Sequence, residues 1–226
     1  MEQTTRHTRF KHHLRPDVRL IKAKDVSIAT TRPSLGKFAM VKPEVTTDNP
    51  LIAHPERWRC EDEDAAEIEV SEFLYALVVL LKPRIIVETG TYTGQTTRYL
   101  ARAIQQNGFG KLFTADPHPR CRAIAGAELF IGTGEDLIAS ISEPIELAFI
   151  DSGNLETRRQ EIYCALNKLS PFGIIALHDT APQHIYGGIE RDFDGQIIYC
   201  NTPRGLTLLQ KHGSLKSRAL SLRAND

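Results

Sequence analysis

The chain has 226 residues, of which 41% are hydrophobic and 25% are charged, and its formal net charge is zero. This is the ordinary mixture of a globular protein, and the length suits one domain with a substantial core. The balanced charge says nothing about partners. The cysteines lie far apart and form no C-x-x-C pair, which excludes a zinc pattern and a dense disulfide framework. They are Cys60, Cys121, Cys164 and Cys200.

Two features of the sequence bear on its location. Residues 1–7 contain no apolar run after their charged residues, so no signal peptide is predicted. The longest apolar run, Leu74 to Leu81, is far shorter than the ~20 residues that a membrane span needs. We expect a soluble, cytoplasmic protein with reduced cysteines and no membrane contact.

Residues 1–60 are predicted to form a basic, partly ordered N-terminal extension. They contain twelve Lys and Arg against six Asp and Glu, whereas residues 61–226 are acidic. Frequent prolines interrupt the segment, and the group Val18 to Ile21 favours one short strand or helix. This arm could contact nucleic acid or an acidic partner, or it could fold back on its own acidic body.

From residue 65 onwards the chain alternates between helical and strand-like patterns. Apolar residues at helical spacing predict a helix over 65–81, which Pro83 ends. Further helices are predicted over 96–106, from Gly134 through Ser140, and over 155–169. The predicted strands are Arg84–Val87, Lys111–Thr114, Glu128–Ile131, Ile145–Ile150 and Gly173–Leu177, followed by a closing pair, Gln196–Tyr199 and Gly205–Leu209.

Strands that are apolar on both faces and alternate with helices indicate a parallel sheet that helices cover on both sides. Ligands of such sheets bind beyond the carboxyl ends of the strands. The unusual polar or glycine residues all follow strand ends, and this shared placement carries the α/β prediction. They are Glu88, Asp116, Gly134, Asp151 and Asp179.

The loop from Glu88 to Gly94, Glu-Thr-Gly-Thr-Tyr-Thr-Gly, joins a strand to a helix. Gly90 allows a sharp turn, and the helix N-terminus suits a carboxylate or phosphate. Tyr92 stands where a dinucleotide fold has a glycine, so its bulk argues against a pyrophosphate. Asp116 is placed to accept from ribose hydroxyls. The alternatives are a purely structural turn for the loop and a turn residue before Pro117 for Asp116.

The residues from Val87 to Thr97 resemble the first motif of class I S-adenosylmethionine-dependent methyltransferases. They are most similar to the small O-methyltransferases of the catechol and caffeoyl-CoA type. The sequence Leu177-His-Asp-Thr180 resembles a broader group that contains metal-dependent sugar and antibiotic O-methyltransferases. The resemblance covers roughly residues 65 to 210. It implies a Rossmann-like fold, a mostly parallel seven-stranded sheet with helices on both faces, and a methyltransferase domain over 61–226.

The resemblance also implies roles for single residues. The loop residues Glu88, Gly90, Thr91, Tyr92 and Gly94 would bind S-adenosylmethionine, with the Gly90 backbone and the Tyr92 region at its methionine part. Thr96 would reach its carboxylate. Asp116 would bind the ribose, and Gly134 and Glu135 would lie at the adenine. Asp151 would lie near the sulfonium or bind Mg²⁺, with Asp179 as a second metal ligand.

Two departures from the catechol-like pattern affect the predicted chemistry. Asn154 stands where those relatives have a lysine base, and Thr180 stands where Asn is common. Either His178 replaces the missing base, or metal catalysis has been lost. The catalytic candidates are therefore His178, Asp151 and Asp179, with His184 as a weaker base candidate. The alternative for His178 is a histidine that only orders Asp179 or the following loop.

The favoured hypothesis is O-methylation of a small molecule, with or without Mg²⁺. One alternative is a methyltransferase that acts on RNA or protein through the basic arm. Another is a non-catalytic binder of S-adenosylmethionine or a nucleotide. The related enzymes also suggest a homodimer.

Overall fold

The computed structural model describes residues 47 and 49–211 in full, and the backbone of residues 19–21. The helices are α1 (Ile68–Leu81), α2 (Gln95–Asn107), α3 (Gly134–Ser140) and α4 (Leu155–Lys168). The strands are β1 (Arg19–Ile21), β2 (Ile85–Thr89), β3 (Lys111–Asp116), β4 (Glu128–Ile131), β5 (Ile145–Ile150), β6 (Leu169–His178), β7 (Gly195–Cys200) and β8 (Leu206–Lys211). A short 3₁₀ turn spans Pro55–Arg57.

The described strands form one sheet in the order β1-β4-β3-β2-β5-β6-β8-β7. The five strands from β4 to β6 in that order run parallel. The last hairpin, β7 with β8, pairs antiparallel with β6. These seven strands confirm the predicted mostly parallel sheet. An eighth strand, β1, comes from the N-terminal extension and pairs antiparallel with β4.

Helices cover both faces of the sheet because the central strands are apolar on both sides. On one face, Ile86 and Leu147 pack in a cluster with Leu74 of α1 and Leu100 of α2. On the opposite face, Val87 and its neighbours pack with Ile138 of α3 and Ala165 of α4, in a second cluster. Ile86 and Val87 are successive residues of one strand, so they point to opposite faces and pack in two separate cores.

The predicted elements differ from the observed ones mainly at their ends. The first helix begins at Ile68 rather than near residue 65, because Glu67 is still extended (φ −60°, ψ 142°). Strand β6 begins at Leu169, directly after α4, with no loop before Gly173. The pairing of β6 with β5 shifts register between Ile145 and Leu147, so the residues around Pro171 are accommodated within the strand.

Capping residues explain where the helices next to the site begin. The side chain of Thr133 accepts a hydrogen bond from the Asp136 amide at the start of α3. The side chain of Asn154 accepts from the Thr157 amide (3.0 Å) at the start of α4. The residue that replaces a lysine in the catechol-like pattern is therefore the N-cap of α4. In the part of the chain that the structure describes, no helix is long and apolar enough to cross a bilayer.

Candidate active site

A cavity of about 420 Å³ lies at the carboxyl ends of β2, β3, β5 and β6. This is the edge of the sheet at which ligands bind in open α/β folds. Its wall combines the loop after β2, the segment before α1, the loops after β5 and β6, and the turn before β8. The lining residues are Asp64, Ala65, Ala66, Gly90, Thr91, Tyr92, Thr93, Gln95, Thr96, Asp116, Asp151, Ser152, Gly153, Arg158, Asp179, His184, Ile185, Tyr186 and Arg204.

The loop after β2 is folded tightly against the neighbouring strands. The amides of Gly90 and Thr91 both donate to the Ala115 carbonyl, at 2.9 and 3.2 Å. Gly90 has a φ of +85°, and a Cβ at this position would lie 2.3 Å from the carbonyl oxygen of Asp151. Both the conformation and the close approach require glycine. The loop therefore passes the cavity with its backbone rather than with a side chain.

Asp116, at the end of β3, is held in a defined orientation by two backbone amides. Its Oδ2 accepts from the Tyr92 amide (2.8 Å), and its Oδ1 accepts from the His118 amide (2.7 Å). The carboxylate is half-buried and lines the cavity. A carboxylate has about four acceptor positions, so Asp116 can still accept from a ligand's hydroxyl groups.

Tyr92 joins the glycine loop to the segment before α1. It has a left-handed backbone (φ +46°), and its hydroxyl donates to Asp62 Oδ1 (2.9 Å). Arg120 donates to the same hydroxyl (2.6 Å) and lies over the ring at 4.8 Å from the centroid. These contacts hold the 61–66 segment beside the loop, at the rim of the cavity.

Opposite the glycine loop lies a group of six charged side chains, which we name the charged cluster. Its members are Glu67, Asp151, Arg158, His178, Asp179 and Arg204. They come from the residue before α1, the end of β5, the first turn of α4, the end of β6 and the turn before β8. Four of them, Asp151, Arg158, Asp179 and Arg204, reach the cavity wall.

Arg158 is the centre of the charged cluster. One terminal nitrogen, Nη2, lies 3.1 Å from Asp151 Oδ1 and 3.0 Å from Asp179 Oδ2. The other, Nη1, donates to the His178 carbonyl (2.5 Å), and Nε donates to the Ser152 carbonyl. Only 3% of this arginine is exposed. Its guanidinium therefore bridges two carboxylates and two backbone carbonyls inside the protein.

Asp179 is surrounded by cations. Besides Arg158, its Oδ1 lies 2.7 Å from Arg204 Nε and 3.2 Å from His178 Nδ1. These are ion pairs rather than well-directed hydrogen bonds. His184 Nε2 lies 4.0 Å away. The backbone of Asp179 is left-handed (φ +62°), a conformation that Asp tolerates better than most residues. Among the described side chains, two guanidinium groups and two imidazole rings thus lie within 4.0 Å of this carboxylate.

His178 has carboxylates on both of its ring nitrogens. Its Nε2 lies 2.6 Å from Glu67 Oε2, and its Nδ1 lies 3.1 Å from Asp151 Oδ1. Complete burial acts to lower the pKa of His178, but the carboxylates of Asp151, Asp179 and Glu67 outweigh it and raise the pKa well above the ordinary value. The protonated form of the imidazole is therefore favoured. The ring does not line the cavity.

Eight of the residues predicted for the site come together on the cavity wall. They are Gly90, Thr91, Tyr92, Thr96, Asp116, Asp151, Asp179 and the weaker base candidate His184. The other predicted residues lie outside that wall. Glu88 and His178 are buried behind it, Gly94 packs against Ile124, and Gly134 packs against Thr89 and Glu161, whereas Glu135 is exposed in the first turn of α3.

Glu88 lies beneath the loop, where it accepts from the Thr97 hydroxyl (2.5 Å). Burial raises its pKa to about 7, and the negative charges of Asp151 and Asp116 add to this increase. Hydrogen bonds from Thr97 and Thr114 oppose it. Its position makes it a support of the glycine loop rather than a ligand-facing group.

The sequence prediction missed Glu67, Arg158 and Arg204. Arg158 lies between Thr157 and Arg159 on a mostly polar helix. The sequence alone therefore suggests that its side chain points to solvent. A signal was still present, because the N-terminal turn of a helix disfavours a cation unless carboxylates compensate for it. Glu67 and Arg204 have no local signal, since their partners lie 111 and 137 residues away.

Comparisons with known proteins agree with this geometry. A family described as a methyltransferase domain matches residues 87–180. The human transmembrane O-methyltransferase is 26% identical over 161 residues, which are 63% of this chain and 55% of the human protein. The match therefore spans about half the length of that relative.

Solved structures show the same fold. The methyltransferase PaMTH1 of Podospora anserina, solved with S-adenosylhomocysteine, has a TM-score of 0.55 and 15% identity, covering 66% of this chain and 80% of that one. A methyltransferase of Geobacter sulfurreducens has a TM-score of 0.51 and 15% identity, with the same coverage. The fold is thus that of the Rossmann-like class I methyltransferases.

The donor set fits a divalent cation poorly. Ligand atoms of Asp151, His178 and Asp179 lie within 4.8 Å of one another, a spacing that a metal ion could bridge. Mg²⁺ prefers hard oxygen ligands that carry net negative charge. Here Arg158 bridges the two carboxylates, and each ring nitrogen of His178 already lies against a carboxylate.

Proposed function

We propose that this protein is an S-adenosylmethionine-dependent methyltransferase that methylates an oxygen atom of a small molecule. The observation that carries the proposal is the joint placement of the Gly90 backbone, the oriented Asp116 carboxylate and Asp151 around one cavity at the carboxyl ends of the strands. The methyltransferase-domain match over 87–180 covers these same residues. The O-methyltransferase name of the human relative supports the oxygen acceptor.

The cofactor would lie across the loop and the end of β3. Each carboxylate oxygen of Asp116 accepts one backbone amide, from Tyr92 or His118, and has a second lone pair. These lone pairs would accept hydrogen bonds from the two ribose hydroxyls. Thr91, Thr96 and the backbone at Gly90 would hold the methionine part. The adenine role of Gly134 and Glu135 stays a prediction. The turn before these residues is joined to the end of β3, because the Gly132 amide donates to the Asp116 carbonyl (3.2 Å).

When bound, S-adenosylmethionine supplies a methyl group that its sulfonium already activates. The protein then has to align an acceptor oxygen with that methyl group and remove its proton. His178 is buried and protonated, so we propose that it positions Asp151 and Asp179 rather than acting as the base. His184 faces the cavity next to Asp179, and its ring lies 4.9 Å from that of Tyr186. We propose His184 as the base.

Binding of S-adenosylhomocysteine, measured by calorimetry, tests the cofactor assignment. The wild-type chain should bind one equivalent. Asp116→Ala should weaken the affinity by at least about 10- to 100-fold, because even one lost charge-assisted hydrogen bond is worth about 1.5–3 kcal/mol. Asp192→Ala, which removes an exposed carboxylate, is the matched control and should leave the affinity unchanged.

Two results would contradict the proposal. Absence of binding to the wild-type chain would refute the cofactor. Equal affinities of Asp116→Ala and the wild type would refute the ribose role of Asp116 while leaving the cofactor in place.

The remaining predictions concern the parts around this site. The small-molecule acceptor is supported by the modest volume of the cavity, about 420 Å³, which suits a cofactor and a small ligand. The division into an extension over 1–60 and a catalytic domain over 61–226, the homodimer and the cytoplasmic location stay predictions.

A further inference from the structure

The charged cluster balances its own charge. Its three carboxylates, Glu67, Asp151 and Asp179, face the guanidinium groups of Arg158 and Arg204 and the imidazole of His178, which has a carboxylate on each ring nitrogen. A further buried carboxylate, Glu161, accepts from the hydroxyls of Thr89 (2.8 Å) and Ser152 (2.5 Å). The cluster therefore presents no excess negative charge that would attract a divalent cation.

Arg158 is fixed in place on all sides. Its guanidinium donates hydrogen bonds to two carboxylates and two carbonyls. The Tyr186 ring stacks on it, with Cζ of Arg158 at 4.0 Å from the ring centroid. The Tyr186 hydroxyl in turn donates to the Gly153 carbonyl. An incoming ion would have to displace a buried, stacked arginine from its partners, and breaking buried ion pairs is strongly unfavourable.

Arg204 closes the other side of Asp179. Its backbone amide donates to Glu67 Oε1 (2.9 Å), and its guanidinium reaches the Ala65 carbonyl (3.1 Å) as well as Asp179. Both side-chain and main-chain bonds therefore keep this second cation at the carboxylate. The two arginines approach Asp179 through different oxygen atoms, Oδ2 and Oδ1.

We propose that the guanidinium groups of Arg158 and Arg204 occupy the place of a divalent cation, so that the site is built to work without a metal ion. This inference rests on the proposed methyltransferase function for its catalytic meaning, but its structural content concerns ion binding alone. The arginines hold Asp151 and Asp179 at the cavity wall, a task that a bound ion would otherwise perform. They are positioning residues, and the acceptor is oriented without chelation.

Titration of the full chain with Mn²⁺, followed by electron paramagnetic resonance, tests the inference directly. The wild-type chain should show no stoichiometric binding below about 1 mM Mn²⁺, because its carboxylates are already paired. Arg158→Ala frees oxygen atoms of Asp151 and Asp179 and removes one positive charge. It should bind Mn²⁺ at least about tenfold more tightly than the wild type. Addition of EDTA should leave wild-type methyl transfer unchanged.

Arg159→Ala is the matched control, because it removes the same charge from an exposed position one residue away. It should leave Mn²⁺ binding at the wild-type level. Circular dichroism checks that each variant is folded. Where Arg158→Ala does not fold, Arg204→Ala replaces it and should show the same gain in affinity.

The inference is overturned if the wild-type chain binds one Mn²⁺ with a dissociation constant below about 1 mM and Asp151→Asn abolishes that binding. It is also overturned if a folded Arg158→Ala variant gains no Mn²⁺ affinity. S-adenosylhomocysteine binding is measured on the same samples. Its absence would refute the proposed function and leave the result on ion exclusion standing.

Discussion

The two walls of the cavity are built in different ways. The glycine-loop wall presents backbone groups and the Asp116 carboxylate, and the hydrogen bond between Tyr92 and Asp116 spans 24 positions of the chain. The cluster wall consists of charged side chains. Its contacts around Arg158 span as few as 7 positions, but the bonds of Glu67 reach His178 and Arg204, 111 and 137 positions away. The first wall is suited to binding a ligand, because Asp116 keeps hydrogen-bonding capacity for it. The second wall is suited to holding a fixed shape, because its charged groups are paired with one another.

The largest expected effect is a loss of stability when a carboxylate of the charged cluster is neutralised. Asp179→Asn keeps the shape and tolerates the left-handed backbone, but it leaves Arg158, Arg204 and His178 with an uncompensated positive charge. We expect a loss of about 3–5 kcal/mol in the free energy of unfolding, measured by urea denaturation. Asp194→Asn, at an exposed position, should change it by less than about 0.5 kcal/mol. A loss below about 1 kcal/mol for Asp179→Asn would mean that the charged cluster is not a rigid unit.

The next effect concerns the pH dependence of the glycine-loop wall. Glu88 has an ordinary pKa of 4.5 and a folded-state pKa of about 7. The folded state therefore binds the proton more tightly, and this contribution to stability is complete below pH 4.5 and is lost as the pH rises to 7. At 1.36 kcal/mol per pKa unit, the change is about 3 kcal/mol.

Glu88→Gln keeps the shape and removes the titration. Its free energy of unfolding should fall about 3 kcal/mol less between pH 4.5 and 7 than that of the wild type. Urea denaturation at several pH values measures the difference. Glu135→Gln, at an exposed position in the first turn of α3, is the control and should follow the wild-type profile. Parallel profiles for Glu88→Gln and the wild type would show that Glu88 stays charged when buried.

The smallest expected change in stability comes from the loop backbone. Gly90→Ala forces a side chain into a left-handed conformation and against the Asp151 carbonyl, which should cost about 1–3 kcal/mol. S-adenosylhomocysteine affinity should fall as well, because the loop has to move. Gly153→Ala lies on the same cavity wall, and its added Cβ meets no atom within 4 Å. It should resemble the wild type in denaturation and calorimetry. Equal behaviour of both variants would show that the loop is pliable.

The same contrast explains what the sequence alone could predict. The fold was predictable because each signal is local: an apolar run such as Ile145–Ile150 is followed at once by Asp151 and then by the Asn154 cap. The carboxyl ends of parallel strands meet at one edge, so the placement of Asp116, Asp151 and Asp179 near a common cavity followed from the topology. Such signals need no knowledge of distant partners.

The roles inside the charged cluster were not predictable in this way. His178 is an attractive base as a residue type, but the two carboxylates that protonate and enclose it come from other elements. Whether an arginine on α4 points to solvent or bridges two aspartates depends on how α4 packs on the sheet. The burial of Arg158 is a property of the assembled protein, as is the exposure of Glu135.

The link from Glu67 to His178 and Arg204 has a consequence for how the protein folds and opens. These bonds close loops of 111 and 137 residues, and contacts of such high sequence separation form only after most of the intervening chain is ordered. We therefore expect this wall to be among the last parts to form during refolding. The same two bonds anchor the start of α1, so its amides should exchange with solvent hydrogen more slowly than those of a helix end that no side chain holds.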